Sequence, residues 1–304
     1  MKMSDWQEQY PHRRRKKRKK RRRFRRFLKL TAGIVIFAFL LNRGISFLGD
    51  YFVLTEDGIA RSGTAGMPGG GTRKYVKGGD ARRRLEKMAK SSETVRTILD
   101  HADQYSDDLL ELLANNEETA DFVLDYPQKK DLAPAESIGE LTGGIPLLLQ
   151  WDERWGYTVY GDNLIAINGC GPTALAMAAA GLTGDAGITP ARVAQYAAAQ
   201  GYYEGEAGTS WALMTEGAAA FGVFGQEIGL SRETVFSELE SGHPIICSVR
   251  PGDFTSTGHF IVLAGAENGK IRVNDPNSRV RSEMLWEYDR LEPQINNLWA
   301  YTAG

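Results

Sequence analysis

Cysteine and histidine are scarce in this 304-residue chain: two of the first, Cys170 and Cys247, and four of the second. Two cysteines are too few for a disulfide framework, so a small disulfide-stapled scaffold is excluded. No Gly-x-x-x-x-Gly-Lys-Ser/Thr stretch occurs, which excludes a nucleotide site of the P-loop kind in this sequence. No internal repeat is visible, so solenoid and propeller architectures are excluded as well. What is present is enough apolar residue, 42% of the chain, to bury at least one full-sized core.

The net charge of −1 hides a strong polarity. Residues 1–29 hold 15 Lys/Arg against Asp5 and Glu8, whereas the remainder has 22 basic and 36 acidic residues. Residues 1–27 therefore read as a self-repelling basic tail. The apolar stretch Leu28–Leu48, about 21 residues, is long enough to cross a ~30 Å hydrocarbon layer as a helix. Three readings compete for this end: a signal anchor, a cleaved signal peptide, and a nucleic-acid-binding arm. No small-x-small cleavage site follows the apolar stretch. A basic block abutting the apolar span puts the N-terminus in the cytoplasm and the acidic remainder outside, by the positive-inside bias. The expectation is thus a single-pass membrane protein with an extracytoplasmic C-terminal part and no nucleic-acid partner. Oligomeric state is not readable.

Residues 49–80, with Met67-Pro68-Gly69-Gly70-Gly71, read as a flexible linker. Over 81–143, Leu85, Met88, Val95, Ile98, Leu99, Leu109, Leu113, Phe122 and Val123 fall at helical spacing. This predicts two to four short helices that pack on the following domain or act as a spacer. From Gly144 the texture changes. Ile145–Gln150 reads as a short strand entering a turn rich in tryptophan. Helices are expected from Cys170 to about Ala180, from Pro190 to Gln200 behind a Thr189 cap, and from Thr209-Ser210 to Ala220. Another is expected over Val235–Glu240. Strands follow at Pro244–Val249, His259–Ala264 and Lys270–Asn274, the last two joined by the hairpin signal Asn268-Gly269. Pieces near Met284–Trp286 and Leu298–Tyr301 complete the sheet. Helices first and antiparallel strands after make an α+β arrangement.

One stretch carries the chemistry: Asn168-Gly169-Cys170-Gly171-Pro172-Thr173. Pro172 fits the first turn of a helix, so Cys170 falls at a helix amino end, where free N–H groups and the helix dipole favour a thiolate. The alternative is a small apolar residue in a packed helix. A thiol nucleophile needs a base, and the base needs an orienting group. His12 lies in the tail, His101 in the helical segment and His243 in a turn. His259 opens an apolar strand behind the loop Thr255–Gly258, held firmly yet reachable. Across the hairpin, Asp275 falls about level with Ile261, near enough for a bend to bring it to the ring. Asn-Asp-Pro is also a common turn initiator. Taken together in the order Cys, His, Asp, the three favour catalysis over structure.

These residues resemble a known group. Ile145–Trp155, Gly169–Thr173, Gly258–Leu263 and Asn274-Asp275-Pro276 look like the signature blocks of bacteriocin-processing-like cysteine peptidases. Within them the chain is similar to a stand-alone, membrane-anchored branch of Gram-positive bacteria, in the papain-like superfamily. The resemblance covers about 144–304 and implies a papain-like fold: a helical part carrying the cysteine, and an antiparallel sheet carrying His and Asp. A transmembrane helix and a small helical spacer would precede it. It implies Cys170 as nucleophile, His259 as base and then acid, and Asp275 as orienting acceptor. Related peptidases place a glutamine a few residues before the cysteine; here Leu164 fills that place, and Gln150 is the candidate oxyanion donor if the loop brings it back. No metal and no cofactor are expected. The function implied is hydrolysis of peptide bonds in a peptide or protein substrate. The alternatives are a cell-wall peptide amidase or transferase on the same fold, and a non-catalytic, membrane-tethered binding module.

Overall fold

Four short helices lead the chain in the computed structural model, which describes residues 79–304. They are α1 (Gly79–Met88), α2 (Glu93–Asp100), α3 (Asp107–Asn115) and α4 (Ala120–Lys129). Side chains set their starts: Ser92 accepts from the Val95 N–H, and Ser106 from the Leu109 N–H. Their apolar stripes do not close on themselves alone. Leu85, Val95, Ile98, Leu109, Leu113, Phe122 and Val123 share one core with Leu149, Trp151, Tyr157 and Ala166. Tyr157 stacks on Phe122 at 4.3 Å and donates its hydroxyl to the Phe122 carbonyl at 2.8 Å. The four helices thus pack against residues 149–166.

Ile145–Gln150 forms no strand. The Asn274 side-chain amide donates to the carbonyls of Ile145 and Pro146, and the Gln150 N–H donates to the Pro276 carbonyl. A side chain and a turn thus occupy the places a ladder partner would take, and Pro146 has no N–H to give. Next come a two-residue hairpin of β1 (Val159–Tyr160) and β2 (Asn163–Leu164), and the one-turn helix α5 (Ile165–Asn168). Helix α6 (Cys170–Thr183) is buried over most of its length and ends at Gly184 in the left-handed region. Helix α7 (Pro190–Ala199) starts behind Thr189, whose hydroxyl accepts from the Arg192 N–H. The helix expected over 209–220 is instead two 3₁₀ turns, Trp211–Met214 and Gly217–Phe221. Gly217 weakens a continuous helix there and lies close against Leu213 and Tyr202.

The remaining elements are β3 (Val223–Glu227), α8 (Arg232–Glu240), β4 (Ile245–Val249), β5 (His259–Glu267) and β6 (Lys270–Asn274). They are followed by α9 (Arg279–Glu283), β7 (Leu285–Trp286), α10 (Tyr288–Leu291) and β8 (Ile295–Ala303). Six strands pair antiparallel in the order β3-β8-β4-β5-β6-β7. Asn268 and Gly269 both take positive φ, 53° and 74°, as a tight hairpin turn requires.

Both faces of the central strands are covered, and the two-residue period sorts them. Ile246, Phe260, Val262, Trp299 and Tyr301 pack under α6 and α7. Ile245, Cys247, Ile261, Leu263, Leu298 and Ala300 pack with Val235 and Leu239 of α8 and Leu291 of α10. The α+β arrangement with the cysteine on a helix and His and Asp on the sheet is therefore present. The membrane part of the fold expectation is corrected. Among the described residues no helix is long and apolar enough to cross a membrane. The longest, α6, has 14 residues, about 21 Å at 1.5 Å per residue. The basic tail, the 28–48 span and all but the end of the 49–80 linker lie outside the described residues.

Candidate active site

Cys170 stands at the first position of α6, half-buried, between two glycines that close contacts demand. A Cβ at Gly169 would lie 2.5 Å from the Ile165 carbonyl oxygen, and one at Gly171 would lie 2.8 Å from Thr209. The chain can bring α5, α6 and the 209 loop this close to the sulfur only with no side chain on either flank. Tyr160 closes the same corner, its hydroxyl 3.0 Å from Thr209 Oγ1.

His259 opens β5, next to α6, where its ring and the Cys170 sulfur each favour the other's charged form. Its Nε2 lies 2.8 Å from Asp275 Oδ1, so the nitrogen left for the sulfur is Nδ1. The register explains this juxtaposition. Val262 pairs with Asn274 across β5 and β6, which puts Asp275 level with Ile261 where the strand ends. The chain turns back at once, Asp275 bridging to Ser278, and its carboxylate swings under the ring. Asp275 is fully buried. Its Oδ1 also accepts from the Asn277 N–H at 2.7 Å, and its Oδ2 accepts from Arg281 Nε at 2.5 Å.

The electrostatics follow from that wiring. Burial opposes ionisation of the Cys170 thiol, but the neighbouring His259 ring, with the N–H groups of Phe260 and Gly171, outweighs it. The net shift is downward. Burial likewise opposes a charged His259, yet the adjacent Asp275 carboxylate and the Cys170 sulfur raise it to about 10. Asp275 is held below the usual carboxylate range by His259 and Arg281, against its own burial. These shifts agree with one another: a thiolate and an imidazolium are favoured together, with a carboxylate behind them. Cys247 is the contrast, a thiol in apolar surroundings that burial alone pushes up.

Gln150 is buried beside the turn that leads into Cys170. Its Nε2 donates to the Ala166 carbonyl at 2.7 Å, and its Oε1 has no partner. The loop therefore returns it to the approach of α6, while Leu164 lies in β2. The other histidines among the described residues are engaged elsewhere: His243 bonds Glu238 at 2.7 Å and His101 the Thr97 carbonyl at 3.0 Å. Trp151 and Trp155 are buried, as packing residues are. Arg281 and Tyr160 were not legible as site residues. An arginine beyond an Asn-Asp-Pro turn looks like any solvated charge, and a tyrosine in a short hairpin looks like core.

Residues 142–304 match the model of a family described as "Peptidase_C39 like family". No curated protein matches the chain. Among solved structures, one similar chain is the peptidase domain of Streptococcus ComA, a bi-functional ABC transporter involved in a quorum-sensing pathway. It is 21% identical with a TM-score of 0.37, over 45% of this chain and 93% of that one. Another is a putative C39-like peptidase from Bacillus anthracis, 15% identical with a TM-score of 0.36, over 53% of this chain and 95% of that one.

Proposed function

Because the chain belongs to the Peptidase_C39 like family and so carries a domain of the cysteine-peptidase type, we propose that it hydrolyses peptide bonds through Cys170, His259 and Asp275. The observation that carries this is the His259 ring, which favours the charged form of the Cys170 sulfur on one side and bonds the Asp275 carboxylate at 2.8 Å on the other. A half-buried thiol acid-shifted by an imidazole, with that imidazole oriented from behind, is the arrangement a thiol nucleophile requires.

In the proposed reaction the Cys170 thiolate attacks the scissile carbonyl carbon and forms a C–S bond. The imidazolium, through Nδ1–H, gives its proton to the leaving nitrogen as the C–N bond breaks. Water then attacks the thioester, passing a proton to His259. The carboxylic acid leaves and the thiolate–imidazolium pair is restored. The developing oxyanion takes donors from the Cys170 N–H, free of an intrahelical acceptor at the start of α6, and from the Gln150 side-chain amide. Gln150 suits this role because its amide is held in place through the Ala166 carbonyl, and its backbone through Pro276 next to Asp275.

The test is cleavage of a broad peptide library by the full chain, with products identified by mass spectrometry, against Cys170→Ala. New termini that depend on Cys170, at a rate lowered at least ~10³-fold in the variant, are expected. Equal product from both proteins contradicts the assignment.

A further inference from the structure

We propose that Arg281 is a positioning residue for the Asp275 carboxylate, and that Glu118 of the leading helices sets Arg281, so that this helical segment is part of the reacting site. The inference rests on the peptidase reading and concerns how its base is held.

Asp275 has two oxygens and three donors. Oδ1 takes His259 Nε2 and the Asn277 N–H; Oδ2 takes only Arg281 Nε, at 2.5 Å. Without the arginine, one lone oxygen would be buried with no partner and the carboxylate would be free to turn about its Cβ–Cγ bond. The second feature is that Arg281 is not placed as a stabilising surface charge is. Its Nη2 is buried with no partner, a cost that an arginine kept for stability alone would avoid.

Arg281 reaches Asp275 because α9 is aimed there, and both ends of Glu118 aim it. Glu118 Oε1 accepts from the Ser278 hydroxyl at 2.5 Å, and Oε2 accepts from the Arg279 N–H at 2.8 Å. Ser278 is itself the N-cap of α9, accepting from the Arg281 N–H at 3.1 Å. A carboxylate at a helix amino end is favoured by the dipole. Two further contacts fasten the same turn. Asn116 Nδ2 and Trp151 Nε1 both donate to the Asn277 carbonyl, at 2.5 and 3.2 Å. The turn that carries Asn277, Ser278 and Arg279 is thus gripped by residues 116–118, 160 positions earlier in the chain.

The charged and titratable groups around the ring come from several elements. Cys170 faces it from α6, with Tyr160 behind the sulfur; Asp275 and Arg281 face it from the β6–α9 turn. Asp253, held by Arg290 and Gln294, also feels the Arg281 charge. Removing the Arg281 cation leaves the region more negative and lets Asp275, and hence His259, turn away. Both effects destabilise the thiolate, so both move its formation to higher pH.

The experiment follows iodoacetamide alkylation of Cys170 in the full chain as a function of pH, for wild type, Arg281→Gln, Arg281→Lys and Glu118→Gln. Thermal melting is recorded beside each. The expected result is an acid midpoint below the ordinary thiol value in wild type, raised by about one pH unit in Arg281→Gln. Arg281→Lys, which keeps the charge and loses the fork, falls between them. Glu118→Gln keeps only one of its two acceptor contacts and shifts the same way by less. An unmoved midpoint in folded Arg281 and Glu118 variants, with only a lowered melting temperature, makes these residues merely structural and overturns the inference. A wild-type midpoint at the ordinary thiol value overturns the peptidase reading itself.

Discussion

The two thiols of this chain show how place decides chemistry. Cys247 lies mid-strand with apolar neighbours and is pushed up by burial; Cys170 is brought down by a ring, a dipole and two N–H groups. Iodoacetamide at neutral pH should therefore modify Cys170 alone in the folded protein, and Cys247 only after unfolding, as read by peptide mapping. Two modified thiols at equal rates would contradict the difference. Asp275 is specified as tightly. Every oxygen position faces a donor, so the amide nitrogen of Asp275→Asn meets either Arg281 or the pair His259 and Asn277. The replacement is expected to lower kcat by at least about 10²-fold by misorienting the ring. It should also cost on the order of 1–3 kcal/mol of stability by leaving a buried polar group of the site without its partner. Unchanged melting with unchanged kcat would show that the carboxylate does not hold the ring.

At the scale of elements, two glycines and one hairpin assemble the site. Gly169→Ala places a methyl against the Ile165 backbone and Gly171→Ala places one against the Thr209 side chain. The first must move main chain and should cost on the order of 1–3 kcal/mol, the second less, since a side chain can turn. A melting series in which Gly171→Ala is the more damaging would contradict that ordering. The same elements mark what was legible beforehand. The Pro172 start of α6, the Thr189 cap and the Asn268-Gly269 turn are local signals, and each element they delimit is present. The β5–β6 register, counted from that turn, also placed Asp275 level with Ile261. What failed was non-local. Ile145–Gln150 is alternation without a ladder partner, because Asn274 and Pro276 take its backbone groups. Strand β3, Val223–Glu227, carries Gly225, Gln226 and Glu227 and exists by pairing with β8. Arg281 and Glu118 have no signature at all; only the folded chain brings 118 to 278.

Across the whole molecule, protons link the site to stability. Asp275 is held low, so its contribution is present above the unfolded value near 3.9 and is lost as pH falls below it. His259 is raised to about 10, so its contribution is complete below about 6.5 and is lost as pH climbs toward 10. Cys170 is lowered, so it contributes fully above about 8.5 and loses this as pH falls through its folded value. Between about 6.5 and 8.5 the last two oppose each other, since folding draws a proton from the sulfur and adds one to the ring. Urea midpoints of wild type should therefore vary little with pH across this window. Those of Cys170→Ala should fall with rising pH, since only the raised histidine remains, by up to about 1.4 kcal/mol per pH unit. Parallel curves for the two proteins would mean that sulfur and ring are not coupled.

The account as a whole depends on an imidazolium keeping the Cys170 sulfur ionised, and the most direct measurement is the alkylation rate of Cys170 near pH 6 in wild type and in His259→Ala. An unassisted thiol is under about 1% ionised there. The prediction is rapid modification of wild type and at least a ~10-fold slower reaction once the ring is removed, the lower nucleophilicity of an acidic thiolate being allowed for. Equal rates in the two proteins would contradict it.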